Sequence, residues 1–139
     1  DYRGATTIAD YGHNPDAIRA LVQAVDAMPG NKRSVVISGA GDRRDQDIIE
    51  QTRILGAAFD EVILYQDACQ RGRADGEVLA LLRQGLEGAP RTRYSTEIHG
   101  EFAAIDHALE RLAPGDLCLV LVDQVEEALA HLQQRIASV

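Results

Sequence analysis

Three continuous apolar runs dominate the chain: "SVVIS" at residues 34–38, "EVILY" at 61–65 and "DLCLVLV" at 116–122. None alternates polar with apolar residues, so each predicts a strand buried on both faces. Such strands are stable only inside a parallel sheet that helices cover on both sides. The segments between the runs supply those helices, with apolar residues recurring at helical spacing. The fold class that follows is α/β, a Rossmann-like open and mostly parallel sheet with helices on both faces.

The pattern predicts a strand at Thr6–Ala9, then a helix over Asp16–Met28 with Ile18, Leu21, Val22 and Val25 on one face. Further elements are expected as a strand at Ser34–Ser38, a helix at Asp45–Phe59, a strand at Glu61–Tyr65 and a helix at Gly76–Leu86. A short strand at Arg91–Tyr94 follows, then a helix at Glu101–Leu112, a strand at Asp116–Val122 and a closing helix at Val125–Ile136. No repeat, low-complexity segment or internal linker interrupts residues 1–139, which read as a single domain. The chain opens "DYRGATT" without an initiator Met, so a piece excised from a larger multidomain protein is expected.

Composition removes several functions. With 14 Lys and Arg against 22 Asp and Glu, the net charge is −8. That is the wrong sign for general nucleic-acid or anionic-membrane binding. No apolar run approaches the roughly 20 residues that a membrane helix needs, and no charged-then-apolar leader opens the chain. Cys69 and Cys118 are far apart with no metal spacing, as expected of free thiols in a reducing cytoplasm. There is no G-x-x-x-x-G-K-[ST] phosphate cradle and no G-x-S-x-G nucleophile elbow. His99, His107 and His131, placed by the pattern on helical segments, lack zinc spacing. No metal ligands and no catalytic residues are assigned to the chain.

What remains lies in three loops. Ligands of an open parallel sheet collect at the carboxyl ends of its strands, and the unusual loops fall there: "DYGHNPD", "GAGDRRDQD" and "QDACQRGRADGE". In the first, Asn14 suits a helix N-cap, Pro15 the first helical position and Asp16 the helix dipole. Asp10 and His13 are not accounted for by helix punctuation. An aspartate at a strand end can accept from ribose hydroxyls, and a histidine beside a helix N-terminus can donate to a phosphate. In the second loop, Arg43 and Arg44 offer bidentate contacts to phosphate or carboxylate. A solvated turn with Asp45 capping the next helix accounts for the same residues. The third loop mixes Arg71 and Arg73 with Asp75 and Glu77, and a charged surface loop is its plainer reading. Asp123, Glu126 and Glu127 are assigned a helix start and a solvated face.

"ADYGHNPDAI" closely resembles the segment that opens the C-terminal domain of Mur ligases and folylpolyglutamate synthases, and the resemblance runs through "GDRRDQDI", "VILYQD" and "RGRADGE". The pair "AGDRRD" and "RGRADGE" is most similar to the cyanophycin synthetase branch. The chain departs from the peptidoglycan enzymes at "LCLVLVDQVEEAL", which has no G-K-G-H-E-type motif.

The resemblance implies ATP-dependent amide ligation through an acyl phosphate, with the P-loop and the Mg2+ ligands on a central domain outside this chain. It implies that Asp10 faces the ribose, that His13 and Asn14 face the nucleotide, and that Arg43 or Arg44 lies near the phosphates or the growing carboxylate. The third loop, with Arg71, Arg73, Asp75 and Glu77, would meet the incoming amino acid. If that is arginine, Asp75 and Glu77 suit its guanidinium. The partners implied are ATP, an amino-acid or peptide substrate, and the P-loop domain of the parent chain. Two alternatives stay open: the same domain of a peptidoglycan-type or polyglutamate-type ligase, and a non-enzymatic nucleotide-binding or interaction module. The isolated piece is expected not to turn over.

Overall fold

The structure, a computed structural model, describes residues 4–10, 15–28, 32–38, 44–66, 76–121 and 125–137. Strands and helices alternate through them: β1 (Thr6–Asp10), α1 (Pro15–Asp26), β2 (Arg33–Ile37), α2 (Asp45–Gly56) and β3 (Glu61–Gln66), followed by α3 (Glu77–Gly85), β4 (Tyr94–His99), α4 (Glu101–Glu110), β5 (Leu117–Leu121) and α5 (Val125–Ala137). The strands form one sheet in the order β1-β5-β2-β3-β4. Every pairing is parallel. The α/β expectation is met.

Alternate side chains of the central strands enter two separate cores, as the pleat requires. Val35, Ile37, Val62, Leu64, Leu119 and Leu121 pack with Ile18 and Val25 of α1, Ile48 and Leu55 of α2, and Leu79 and Leu82 of α3. Val36, Ile63, Tyr65, Cys118 and Val120 face the other way, against Ala104, Ile105, Ala108 and Leu109 of α4 and Ala128 and Leu132 of α5. The two cores explain why "SVVIS", "EVILY" and "DLCLVLV" carry no polar alternation. Both faces are interior.

Pro15 opens α1 as expected. Three expectations need correction. The fourth strand is Tyr94–His99, not Arg91–Tyr94. Among the described residues it is an edge strand paired only with β3, and only Thr96 and Ile98 are partly buried within it. The helix from Asp45 stops at Gly56 rather than Phe59. Its last carbonyl is diverted: Gly56 O accepts from the Arg91 and Thr92 N–H groups at 3.1 and 3.2 Å, while the Asp60 N–H turns to Arg33 O at 2.8 Å. Phe59 then leaves the helix to lie fully buried in the first core. Finally, Asp45 is the first helical residue and Arg44 holds the N-cap position, without a side-chain cap bond.

Carboxylates tie down the amino end of the sheet. Asp60 accepts from the Arg33 N–H at 2.9 Å and from Arg91 at 3.0 and 3.3 Å. Asp116 accepts from the Lys32 N–H at 3.2 Å and the Ala113 N–H at 3.0 Å. The buried Glu61 carboxylate faces Arg111 Nε at 2.6 Å, an ion-pair distance off the line of a hydrogen bond, with Lys32 Nζ 3.6 Å away. These contacts brace the end opposite the carboxyl ends of the strands.

Candidate functional site

In a sheet whose strands all run one way, every strand ends and every following helix begins on the same edge. The register makes this concrete. Asp10, the last residue of β1, lies beside Leu121, the last residue of β5. Val36 pairs with Val120, so the end of β2 follows directly. Ile37 pairs with Leu64, and Gln66 of β3 pairs with His99 of β4. Asp10, Leu121, Ser38, Gln66 and His99 therefore mark one continuous rim. At about 4.8 Å per strand, the three steps from β1 to β3 span roughly 15 Å.

Of the residues singled out from sequence, three fall within the described structure, all at this rim. Asp10 is exposed at the tip of β1. Arg44 sits at the start of α2 with 79% of its side chain exposed. Its Nε and one terminal nitrogen both donate to Asp47 at 3.2 Å, and that hydrogen bond raises its pKa. An exposed pair of this kind is weak, so little opposes transfer of the guanidinium from Asp47 to an anionic ligand. Glu77 is the exposed first residue of α3. It follows Gly76 at φ +82°, a left-handed conformation in which a side chain would be strained although the space around it is open. His13, Asn14, Arg43, Arg71, Arg73 and Asp75 lie outside the described residues, as do Cys69 and Asp123.

The edge has its own electrostatics. The positive ends of five helix dipoles point to it, while Asp16, Asp45, Asp47, Glu77, Glu126 and Glu127 occupy first turns and partly offset them. Among the described residues, no three His, Cys, Asp or Glu side chains are grouped so as to hold a metal ion. Likewise, no described helix is long and apolar enough to cross a membrane.

Sequence reasoning missed three residues here. His99 is not helical but ends β4, exposed at the rim. The other two described histidines, His107 and His131, do lie on helices, α4 and α5, where His131 Nε2 meets Asp106 at 2.7 Å and its ring stacks on Phe102. The other two are Tyr65 and Glu101. The Tyr65 hydroxyl is buried beneath the rim, 2.8 Å from Glu101 Oε2 and 3.2 Å from the Leu121 carbonyl oxygen. A tyrosine closing the apolar run "EVILY" was the available signal, since a buried phenol needs a polar partner.

The model of the Mur ligase family's glutamate ligase domain matches residues 1–122. The chain belongs to this family. As a Mur ligase domain it is 35% identical over 129 residues to the cyanophycin synthetase of Synechocystis sp., a match covering 92% of this chain and 14% of the relative. It is 32% identical over 120 residues to the UDP-N-acetylmuramoyl-L-alanyl-D-glutamate–2,6-diaminopimelate ligase of Chlorobaculum tepidum, covering 85% of this chain and 23% of that enzyme. The chain thus spans less than a quarter of the length of either relative.

Solved structures agree on the Mur ligase fold. A UDP-N-acetylmuramoyl-L-alanyl-D-glutamate–2,6-diaminopimelate ligase superposes with a TM-score of 0.76 at 22% identity, covering 95% of this chain and 30% of that one. E. coli FolC, solved in complex with ADP and without folate substrate, superposes at 0.69 and 22% identity, covering 95% and 29%.

Proposed function

We propose that this Mur ligase domain is the C-terminal lid of a longer ATP-dependent amide ligase of the cyanophycin synthetase type, which adds arginine to an aspartate side-chain carboxylate. The observation that carries the reading is the similarity to cyanophycin synthetases along 92% of the chain, together with the rim on which Asp10, Arg44 and Glu77 all lie. In the proposed reaction a substrate carboxylate oxygen attacks the γ-phosphorus of ATP, and ADP leaves. The arginine amine then attacks the acyl carbon, phosphate departs and the amine loses a proton. Mg2+ would neutralise phosphate charge, held chiefly by the central domain; no metal step is assigned to this chain.

The residues assigned to the lid would serve two ligands. Asp10 at the end of β1, with His13 and Asn14 later in the sequence, would hold ribose and phosphate, and Arg43 and Arg44 would reach the phosphates or the growing carboxylate. Arg71, Arg73, Asp75 and Glu77, around the start of α3, would take the incoming amino acid, the two carboxylates pairing with its guanidinium. Closure over the central domain would exclude water from the acyl phosphate. A lid without a phosphate cradle supplies one wall of that cleft, so the 139-residue chain alone should make no product.

A purified parent chain should form amide from arginine only with ATP. Asp75→Asn and Glu77→Gln, tested separately, should each raise the KM for arginine; unchanged values in both remove the arginine assignment. The 32% identity to a diaminopimelate-adding ligase favours one second reading, in which the parent turns over a UDP-MurNAc-peptide instead. Residues preceding Asp1 separate the readings. A P-loop after an ATP-grasp region supports cyanophycin-type synthesis, a P-loop after a nucleotide-sugar-binding domain supports the peptidoglycan type, and no P-loop leaves a non-enzymatic module.

A further inference from the structure

Tyr65 lies next to the end of β3, and its side chain enters the core beneath α4 and α5. Strand β2 stands between β3 and β5, yet the Tyr65 hydroxyl reaches the last carbonyl of β5, Leu121 O, at 3.2 Å. At 2.8 Å it meets the Glu101 carboxylate, which belongs to the first residue of α4. One phenol, carried by β3, therefore touches two further elements, β5 and α4, that end or begin at the rim. Tyr65 is fully buried and Glu101 is 6% exposed.

Packing alone does not require this arrangement. Tyr65 belongs to the core cluster that includes Val36, Ile63, Ala104 and Ile105, and a phenylalanine would fill the ring's place. Burying a carboxylate and a hydroxyl together is costly unless their geometry is satisfied, and apolar replacements of buried polar groups are often neutral or stabilising. What the pair supplies is direction. It fixes the end of β5 and the start of α4 relative to the end of β3. Gln66 follows Tyr65 and leads into the third loop, while Leu121 is in register with Asp10. The phenol thus ties β3, at the end of the rim assigned to acceptor, to β5, which adjoins the end assigned to nucleotide.

We propose that Tyr65 and Glu101 are positioning residues, whose hydrogen bond beneath the rim sets how tightly the parent enzyme holds nucleotide and acceptor. The proposal rests on the ligase reading above. Its test uses the full-length parent carrying Tyr65→Phe, Glu101→Ala or Glu101→Gln, with initial rates measured against ATP and acceptor, and Tm measured for each variant.

Tyr65→Phe and Glu101→Ala should raise the KM for ATP, for acceptor or for both by about fivefold or more, the scale of one buried hydrogen bond, with kcat within about twofold. Glu101→Gln keeps an oxygen that accepts from the phenol and should stay within about twofold of wild type in both constants. The rescue and the KM–kcat split separate positioning from simple support of the fold. Should Tyr65→Phe fail to fold, the two Glu101 variants carry the test. Unchanged KM values in Glu101→Ala, with only Tm lowered, overturn the proposal. A wild-type parent that forms no amide overturns the ligase reading itself, and this proposal with it.

Discussion

The Thr52 hydroxyl donates to the Leu82 carbonyl at 2.6 Å, joining α2 to α3. Gly85 makes this contact possible. A Cβ built there would overlap the Thr52 hydroxyl and the Ile49 backbone carbonyl, and backbone cannot move aside as a flexible side chain can. Gly85→Ala should therefore destabilise the domain by at least the 1–3 kcal/mol typical of overpacking, about 2 kcal/mol or more. Chemical denaturation should show a lower midpoint. An unchanged midpoint would mean that α3 shifts outward at little cost.

Asp60 braces the other end of the sheet. Partial burial raises its pKa, but hydrogen bonds from Arg91 and from the Arg33 N–H, with their charges, outweigh that and hold the carboxyl below its ordinary value. A folded-state pKa lower than the unfolded one contributes stability above the unfolded pKa, and this is lost as pH falls through the folded pKa. Asp60→Asn should lower stability by about 1–2 kcal/mol at pH 7. The difference between wild type and variant should shrink as pH drops below about 4, the ordinary aspartate range. A difference independent of pH would show that the charge of Asp60 contributes nothing.

Cys118 is fully buried, and burial pushes its thiol up to about 11. Thiolate is the reactive form. In a Cys69→Ser background, Cys118 should resist an aromatic disulfide reagent at pH 8 for as long as the domain stays folded, and should react in denaturant. Rapid labelling in buffer would mean that α4 and α5 open readily away from β5.

The sheet was legible because its evidence was local. Val35–Ile37, Val62–Leu64 and Leu117–Leu121 are apolar without alternation, and in the structure they are buried on both faces. The fourth strand was misplaced for the converse reason: Tyr94–His99 lies on an edge, exposes most of its side chains and contains no apolar run. His99 was misassigned with it. The rim followed from sequence because parallel crossovers put loops of one kind on one edge. The insertion of β5 between β1 and β2, which brings Leu121 beside Asp10, depends on tertiary packing and leaves no local trace. The Tyr65–Glu101 contact, spanning 36 residues, is of the same sort.

The central claim is that this rim forms part of a nucleotide site. The most direct test titrates a non-hydrolysable ATP analogue into the full-length parent chain, comparing wild type with Asp10→Ala and His13→Ala by calorimetry. Both substitutions should weaken binding about tenfold, the loss of roughly 1.4 kcal/mol expected for a hydrogen bond to a charged or polyhydroxyl ligand. If both variants bind the analogue as tightly as wild type does, the nucleotide lies elsewhere and the account fails.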